Sequence, residues 1–442
     1  MVSVSALVCS WMVLLGSANA APPEAKPEKE VIFLILVDAL RPDHMGIYGY
    51  DKPTTPEMDK LGAAATRYTR AYVNAPWTRP STASFLTGLN ASRHKTETAK
   101  TKLPKSVTTL AERLGKAGWT TAGFVANGNG GSLGRLHKGF DVFRDPTNTY
   151  TKKKRGKTYN NLPTGEFLVS RTLEWMDQDD SDKLFVFMFL VDPHDPYAAP
   201  KRLEKQFLGD YKGKLRRMPL WEYNNDYPED ERQAIVALYN AGIRYSDEAL
   251  GRLFGELKKR GLYDNAHIFL TSDHGEGFGE HGFYLHAHHF WDEVIKIPLL
   301  AHGPKFKAGQ VDTRLTQSID ITKTIAELAG ARSEDLPGRS LLKSSSDSDY
   351  VISEYNEFGI HRQAIIGKRY KVIWQRPASE KWFMKAVKKR KYFPSVSFGK
   401  EKIHVFDLEN DPGETKNLAA EMPAEAAKLL QTLRDFVAQS RS

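Results

Sequence analysis

Seven consecutive apolar residues, Val31 to Val37, constrain the fold of this chain more than any other feature of its sequence. An unbroken apolar run rich in β-branched residues is typical of a parallel strand that is buried on both faces. Comparable runs recur along the chain and alternate with helical patterns. The runs are Leu184–Val191, His267–Leu270 and Ile297–Ala301, and the helical patterns are Ser106–Ala117, Asp230–Lys259 and Ile319–Ala329. This order predicts an α/β fold with a doubly wound, mostly parallel sheet and helices on both faces.

The pattern changes at about Asp347, where shorter strand-like runs replace the alternation. These runs are Tyr350–Glu354, Tyr370–Gln375 and His404–Leu408, and a last helical pattern covers Ala424–Gln439. We therefore predict a large domain over residues 31–346 and a small C-terminal α+β subdomain over residues 347–442. The length of 442 residues, of which 40% are hydrophobic, favours one large domain or two unequal ones.

The N-terminal segment has the character of an export signal. An apolar stretch from Ala6 to Gly16 precedes Ser17–Ala20, which ends in the small-x-small pattern of a cleavage site. We predict a signal peptide over residues 1–20, a flexible leader over residues 21–30, and export to the periplasm or the extracellular space. A retained N-terminal anchor is the alternative, because no Lys or Arg precedes the apolar stretch.

Cysteine and charge narrow the function classes further. The single cysteine, Cys9, lies in the predicted signal peptide, so disulfides and thiolate chemistry are excluded from the exported chain. The net charge of +9 is modest for 442 residues. Aromatic residues do not alternate regularly with basic ones, so the sequence does not predict a nucleic-acid partner. The basic runs Lys152–Arg155 and Lys388–Lys391 are interpreted as solvated loops, with attraction of a polyanionic glycan or envelope surface as the alternative.

Residues that follow the predicted strands carry the chemistry, because ligands of open α/β sheets bind beyond the carboxyl ends of the strands. Asp38 follows the first run, Asp273 and His274 follow the third, and His194 lies just after the second. Thr78 is followed by Arg79 and Pro80, and Pro80 is well placed as the first residue of a helix. Thr78 is then expected at or just before a helix N-terminus.

These residue types form a plausible ligand set for one divalent cation. Carboxylates, an imidazole and a hydroxyl suit a Zn²⁺-like or Mn²⁺-like ion, and the cation would favour the Thr78 alkoxide as a nucleophile. Each residue also has an ordinary structural interpretation. Asp38 and Thr78 could cap helices, and His274 could be a hydrogen-bonded core histidine.

Several ordered motifs resemble those of the sulfatases of the alkaline phosphatase superfamily, from about Val31 to Leu418. The motifs are Leu36–Asp43, Thr54–Pro56, Trp77–Ser81 with Leu86–Gly88, Thr271–Glu276 with Gly279–Gly282, and Phe406–Leu408 with Asp411, Pro412, Glu414, Asn417 and Leu418. The resemblance implies that Asp38, Asp273 and His274 bind metal and that Thr78 is both nucleophile and ligand. It also implies that His194 holds the substrate anion or assists the leaving group.

Three departures from the sulfatase pattern bear on the chemistry. Thr78 stands where sulfatases carry the Cys or Ser that becomes formylglycine, and a Thr cannot give that aldehyde. Ala39 replaces the second Asp of the usual pair, and His274 replaces the usual Asn. The last two changes remove the all-oxygen character that suits Ca²⁺, so we expect one divalent metal, with Zn²⁺ or Mn²⁺ favoured.

The nucleophile also bears on the ester that is cleaved. A sulfated Thr78 lacks the exit through an aldehyde, whereas a phosphorylated Thr78 can be hydrolysed at a metal site. The sequence therefore favours a hydrolase of phosphate mono- or diesters. A sulfuric ester hydrolase that acts without formylglycine and a non-catalytic binder of anionic glycan or envelope material are the alternatives.

The resemblance implies a basic residue that touches the substrate anion within the segment His281–His289. We choose His281 and His288 as further catalytic residues, and give His286 and His289 an ordinary packing role. Arg79 and Arg41 are predicted to contact the anionic group of the substrate, since guanidinium matches sulfate and phosphate geometry. A structural ion pair is the alternative for Arg41.

Overall fold

The computed structural model describes residues 29–147, 162–219, 227–343, 349–357, 360–377 and 400–440. The predicted signal peptide, nearly all of the leader and both basic runs lie outside these residues. The strands of the main sheet are β1 (Glu30–Val37), β2 (Thr66–Tyr72), β3 (Thr120–Val125), β4 (Val142–Arg144), β5 (Lys183–Leu190), β6 (His267–Thr271), β9 (Lys296–His302), β10 (Val311–Asp312) and β11 (Thr316–Gln317). A short hairpin joins β7 (Gly277–Phe278) to β8 (Tyr284–Leu285).

Helices lie on both faces of this sheet, as the sequence predicts. They are α1 (Pro56–Ala63), α2 (Thr78–Thr87), α3 (Ala91–His94), α4 (Leu110–Lys116), α5 (Gly165–Gln178), α6 (Lys201–Leu208), α7 (Glu229–Lys259), α8 (Asp292–Ile295) and α9 (Ser318–Leu328). Alternate residues of β1 enter two separate hydrophobic cores. Leu34 and Leu36 pack on the side of α2 and α9, and Phe33 and Ile35 pack on the side of α5 and α7.

The order of the main sheet is β10-β2-β9-β6-β1-β5-β3-β4, with β11 beside β2. Strands β6, β1, β5 and β3 are parallel neighbours, so their carboxyl ends meet at one edge. Strand β9 is antiparallel to both β6 and β2, although its apolar run looks like those of the parallel strands. The fold class is confirmed: the sheet is mostly parallel.

The C-terminal subdomain is a four-stranded antiparallel sheet covered by one helix. Its strands are β12 (Val351–Glu357), β13 (Ile360–Ile366), β14 (Tyr370–Gln375) and β15 (Lys402–Asp407), and the helix is α10 (Ala424–Gln439). Val372 and Trp374 face α10, where Leu429 and Leu433 complete a separate core. Strand β13 is absent from the sequence prediction, while β14 and α10 have the predicted bounds.

Most predicted elements of the main sheet agree with the structure to within one or two residues. The helix predicted over Ser106–Ala117 is shorter, because Thr109 caps its N-terminus and forms a reciprocal capping box with Glu112. Among the described residues, no helix combines the length and apolar character that crossing a membrane requires.

Candidate active site

Asp38 lies directly after β1 and is fully buried. Its Oδ2 accepts a hydrogen bond from the side chain of Asn127, which follows the parallel strand β3, at 3.0 Å. The next residue, Ala39, has a φ of 61°, a left-handed conformation that is costly for a residue with a Cβ. This strained turn directs the backbone N–H of Ala39 to Asp273 Oδ1, at 3.3 Å.

Asp273 and His274 follow β6, which is the neighbour of β1, and both side chains are fully buried. His274 Nδ1 lies 2.9 Å from the carbonyl oxygen of Gly275 and therefore donates to it. Gly275 is required here, because a Cβ at this position would lie 2.1 Å from the carbonyl oxygen of Glu293. The close approach of the two chain segments holds His274 with its Nε2 toward the carboxylates.

Thr78 is the first residue of α2, which is two positions earlier than the predicted start at Pro80. Its Oγ1 lies 3.2 Å from His274 Nε2, and its side chain is buried. Ser81, one turn along the helix, donates to the backbone carbonyl of Asp273 at 2.6 Å. This bond fixes the N-terminal turn of α2, with its unpaired backbone N–H groups, against the end of β6.

Four side chains therefore meet at the edge of the sheet, and the donor set is suited to a cation. His274 Nε2 lies 3.5 Å from Asp38 Oδ1 and 3.3 Å from Asp273 Oδ2. Both carboxylate oxygens are buried and have no hydrogen-bond donor among the described residues. Because Nδ1 of His274 carries the proton, Nε2 of the same ring has a free lone pair and is the third acceptor. Three acceptors and one hydroxyl that face one another fit a bound divalent metal.

The protonation tendencies agree with this interpretation. Burial and the adjacent Asp38 carboxylate raise the pKa of Asp273 well above its usual range. Burial, with a smaller effect of His286, lowers the pKa of His274 well below its usual range. His274 is therefore neutral and is not the counter-charge of the two carboxylates.

His194, which follows β5, lies beside this cluster. Burial lowers the pKa of its imidazole, but the carboxylates of Asp38, Asp195 and Glu276 outweigh burial and raise it to about 10. The ring contacts Asp195, whose Oδ1 lies 3.2 Å from His194 Nδ1. A protonated imidazole near the Asp38 carboxylate can bind an oxyanion or give a proton to a leaving group.

His286 is the residue that the sequence reasoning undervalued. Its ring stacks on that of His274 with centroids 4.0 Å apart, and it meets His194 edge-on at 5.0 Å. Nδ1 of His286 lies 2.9 Å from a carboxylate oxygen of Glu276, and Tyr197 donates to the other oxygen at 3.0 Å. Burial raises the pKa of Glu276 well above its usual range and lowers that of His286 to about 3, so His286 is a neutral imidazole that is hydrogen-bonded to Glu276.

A second group of possible ligands adjoins the first. His194, Asp195 and His286 present one ligand atom each within 4.8 Å of one another. Asp192, two residues before His194, has a structural role. Its carboxylate accepts from the N–H of Gly165 at 3.0 Å, at the start of α5, and from Ser246 at 2.9 Å.

The structure does not bring His281 and His288 to the four-residue cluster, contrary to our choice of these two histidines. His281 Nδ1 lies 2.6 Å from Glu293, and its ring stacks on Trp291 at 4.1 Å. His288 lies between the cluster and the C-terminal subdomain, where its backbone carbonyl accepts from Arg362 at 2.9 Å. His286, two residues before His288, is the histidine of this segment whose ring contacts His274 and His194.

Both predicted substrate-binding arginines are engaged by the protein itself. Arg41 makes a bidentate ion pair with Asp43 and donates to Glu280 at 2.6 Å, which confirms the alternative of a structural ion pair. Arg79 donates to Asn129 at 2.8 Å and to backbone carbonyls of residues 98–101. Its terminal nitrogens thus tie α2 to that loop rather than pointing to a ligand.

A mostly parallel α/β sheet that carries this cluster at its carboxyl edge defines a metal-dependent ester hydrolase with the alkaline-phosphatase-like fold. The family model "Sulfatase" matches residues 30–331, and the model "N-sulphoglucosamine sulphohydrolase, C-terminal" matches residues 279–442. The chain therefore belongs to the sulfatase family, as the motifs indicated.

Individual proteins resemble the chain more distantly. A choline-sulfatase of Rhizobium meliloti (strain 1021) is 26% identical, over 88% of this chain and 82% of its own length. The structure of a 2-O GAG sulfatase superposes with a TM-score of 0.72 at 21% identity, and covers 95% of this chain and 93% of its own. The phosphonate monoester hydrolase of Agrobacterium radiobacter superposes with a TM-score of 0.73 at 20% identity, covering 93% and 96%.

Proposed function

We propose that this sulfatase-family enzyme cleaves a phosphate ester with Thr78 as its nucleophile, supported by one divalent metal held by Asp38, Asp273, His274 and Thr78. The observation that carries the proposal is the placement of Thr78 Oγ1 at 3.2 Å from His274 Nε2, beside two buried carboxylate oxygens that accept no hydrogen bond from the described part of the chain. A packing role for Thr78 would leave that concentration of unpaired acceptors unexplained.

Thr78 and His194 have different roles in the proposed reaction. The Thr78 hydroxyl first loses its proton to solvent water. The Thr78 alkoxide attacks phosphorus, the bond from phosphorus to the leaving oxygen breaks, and protonated His194 gives its proton to that oxygen. A water then attacks phosphorus of the phosphorylated Thr78, His194 takes a proton of that water, and the Thr78 oxygen leaves as the alkoxide. A metal bound by the cluster would lower the pKa of the Thr78 hydroxyl and neutralise charge on the transferred group.

The chemistry of Thr78 favours phosphate over sulfate. A phosphorylated Thr is hydrolysed by attack at phosphorus, so the free hydroxyl is regenerated. A sulfated Thr has no geminal hydroxyl whose loss of a proton could expel sulfate. Sulfate ester hydrolysis is the second candidate, because the chain belongs to the sulfatase family and its matched motifs are those of sulfatases.

Zn²⁺ or Mn²⁺ is the proposed metal, because an imidazole among the ligands suits these ions better than Ca²⁺. The substrate is proposed to be an anionic ester carried on a glycan or an envelope component, in line with the GAG sulfatase that shares the fold. The proposed location is the periplasm or the extracellular space, with cleavage after Ala20, and N-terminal sequencing of the exported protein tests this directly.

A paired substrate panel tests the proposed function. The metal-reconstituted enzyme and the variant Thr78→Ala are assayed with matched aryl phosphate and sulfate monoesters and with an aryl phosphodiester. We expect turnover of a phosphate ester that falls by about 10³-fold or more in Thr78→Ala. Faster cleavage of the sulfate ester would support the second candidate, and unchanged activity of Thr78→Ala would remove the nucleophile assignment.

A further inference from the structure

A cavity of about 70 Å³ lies between the segment that carries His286 and the C-terminal sheet. The catalytic domain contributes residues 288–291 to its lining, including Trp291. The C-terminal sheet contributes Arg362, Gln375, Lys402 and His404. Arg362 donates to the backbone carbonyl of His288 at 2.9 Å, which joins the two walls.

The strand register explains why cationic groups gather on this face. Arg362 lies directly opposite Gln375 across β13 and β14, and Gln375 lies directly opposite Lys402 across β14 and β15. Residues that are opposite in an antiparallel sheet point to the same face, so these three side chains form one row. The next row on this face contains Ile373 and His404. The alternate residues face α10, so the row belongs to the side turned toward the catalytic domain.

The cavity offers hydrogen-bond donors and no carboxylate. Among the described residues that line it, none is acidic. Gln375, which is 3% exposed, accepts from Arg362 Nε at 2.8 Å, while its own amide Nε2 is buried and has no acceptor in the part of the chain that the structure describes. Burial, together with the positive charges of Lys402 and Arg362, lowers the pKa of His404 to about 4. A buried amide donor beside a guanidinium and an ammonium group is suited to an oxyanion.

A third row on the same face provides a contrast. Lys371 lies in that row, and its ammonium group contacts Asp292 and Glu414, each at 2.6 Å. The positive charge of Lys371 is thus compensated within the protein. Lys402 lies at the open end of the face and is exposed, and no acidic residue is among the described residues of the cavity.

We propose that this cavity is a second anion subsite, which binds a sulfate, phosphate or carboxylate group of the same substrate whose ester is cleaved at Thr78. The inference rests on the proposed function for the role of Thr78, but the binding itself does not. His286 stacks on His274 in the active site, and His288 lines the cavity. Two residues of chain span about 7 Å at most, so one saccharide chain can reach both places.

Binding of labelled oligosaccharides to the metal-loaded full chain tests the proposal. Fluorescence anisotropy is measured with a fluorescein-labelled heparin tetrasaccharide at about 150 mM salt, where long-range attraction is screened. We expect Lys402→Gln to weaken binding about three- to tenfold. Gln375→Glu keeps an acceptor for Arg362 and should therefore fold, yet it places a negative charge in the cavity, so we expect a loss of about tenfold or more.

Lys428→Gln is the matched control, because Lys428 is an exposed lysine of α10, on the other side of the C-terminal sheet. It should bind the tetrasaccharide like the unmodified protein. Equal weakening by Lys428→Gln and Lys402→Gln would overturn the subsite, and so would unchanged binding by Lys402→Gln and Gln375→Glu. Hyaluronan tetrasaccharide and inositol hexakisphosphate, assayed in parallel, show whether carboxylate or phosphate alone gives the dependence on Lys402.

Hydrolysis of a small aryl ester separates this proposal from the proposed function. Lys428→Gln should leave kcat and KM for an aryl phosphate unchanged, because Lys428 lies on the side of the C-terminal sheet that faces away from the cavity. If no ester is cleaved but binding still depends on Lys402 and Gln375, the proposed function fails and the subsite stands. If esters are cleaved and binding is indifferent to both substitutions, the subsite fails alone.

Discussion

Two buried groups of carboxylates in this molecule differ in how their charge is compensated. Asp292 and Glu414 share the ammonium group of Lys371, at 2.6 Å from each, where the catalytic domain meets the C-terminal sheet. Asp38 and Asp273 are fully buried, whereas the Asp292 side chain is 19% exposed. Their neighbour His274 is kept neutral by burial and His286, and two of their oxygens have no donor among the described residues. The negative charge of the first group is compensated within the protein, whereas that of the second group requires a bound cation.

The difference separates structural from functional charge. A buried carboxylate that has its own counter-ion in the protein contributes to the fold, and the protein loses stability if one partner is removed. Buried carboxylates that face a neutral imidazole and a hydroxyl are costly to the fold unless a metal binds. The two groups should therefore respond in opposite ways to comparable substitutions.

The largest effect is expected at the active site. Asp273→Asn removes a ligand and a charge, so metal content should be lost and activity should fall by about 10³-fold or more. In the presence of a chelator the same variant should unfold at a higher temperature than the unmodified protein, because two unpaired carboxylates no longer face each other. The expected gain in the free energy of unfolding is on the order of 1 kcal/mol. Metal analysis, kinetics and thermal unfolding measure the three quantities.

Asp192→Asn is the matched control, since Asp192 is a buried carboxylate that is hydrogen-bonded by Gly165 and Ser246. It should keep its metal and should lose stability rather than gain it. Retention of a full equivalent of metal by Asp273→Asn would contradict the assignment of the cluster.

Lys371→Met should give the opposite result. Removing the ammonium group leaves the buried Glu414 carboxylate without a counter-ion and leaves Asp292 with Lys296 alone, at 3.3 Å, so we expect a loss of about 3–5 kcal/mol in the free energy of unfolding. Metal content and kcat of the folded fraction should be retained, because Lys371 makes its ion pairs away from the metal ligands. Denaturant titration checks the stability, and an undiminished midpoint would show that the group is not a structural ion pair.

A smaller effect is expected from Glu276→Gln. Glu276 is a positioning residue, because it bonds His286 Nδ1 at 2.9 Å and thereby fixes the ring that stacks on His274. We expect kcat/KM to fall about tenfold and the pH profile of kcat to change shape, with metal content preserved. An unaltered pH profile and rate would assign Glu276 to packing alone.

The smallest effect is a change in the pH dependence of stability. Burial and the neighbouring Asp292 raise the pKa of Glu414 to about 7, against the opposing effect of Lys371. A carboxyl group whose pKa is raised on folding stabilises the protein most at low pH, and this contribution is lost as pH rises from about 4.5 through 7. Glu414→Gln should therefore flatten the decline in stability between pH 5 and pH 8, as denaturant titrations across that range measure.

The metal-binding group could be predicted from the sequence because its members follow strands. Asp38 and Asp273 come directly after apolar runs, and neighbouring parallel strands bring their carboxyl ends together. Strand β13 and the antiparallel direction of β9 could not be predicted in the same way. A short apolar run has no feature that distinguishes the direction in which a buried strand pairs.

The placement of His286, rather than His281 or His288, beside His274 has a backbone cause. Leu285 has a φ of 68° and Ala287 a φ of 102°, so the chain bends on both sides of His286 and turns its ring toward His274. No periodicity in the sequence predicts two such turns at non-glycine residues. The role of Arg41 was open for a related reason, since Glu280 is distant in sequence and only the fold brings it to Arg41.

Trapping of the covalent intermediate tests the central claim most directly. The metal-loaded enzyme is mixed with an aryl phosphate ester, quenched in acid during turnover and digested, and the peptide that contains Thr78 is examined by mass spectrometry. The account predicts a phosphoryl group on Thr78, its absence from Thr78→Ala, and no mass change from formylglycine formation in the unmodified enzyme. Turnover of the phosphate ester with the phosphoryl group on another residue would contradict it.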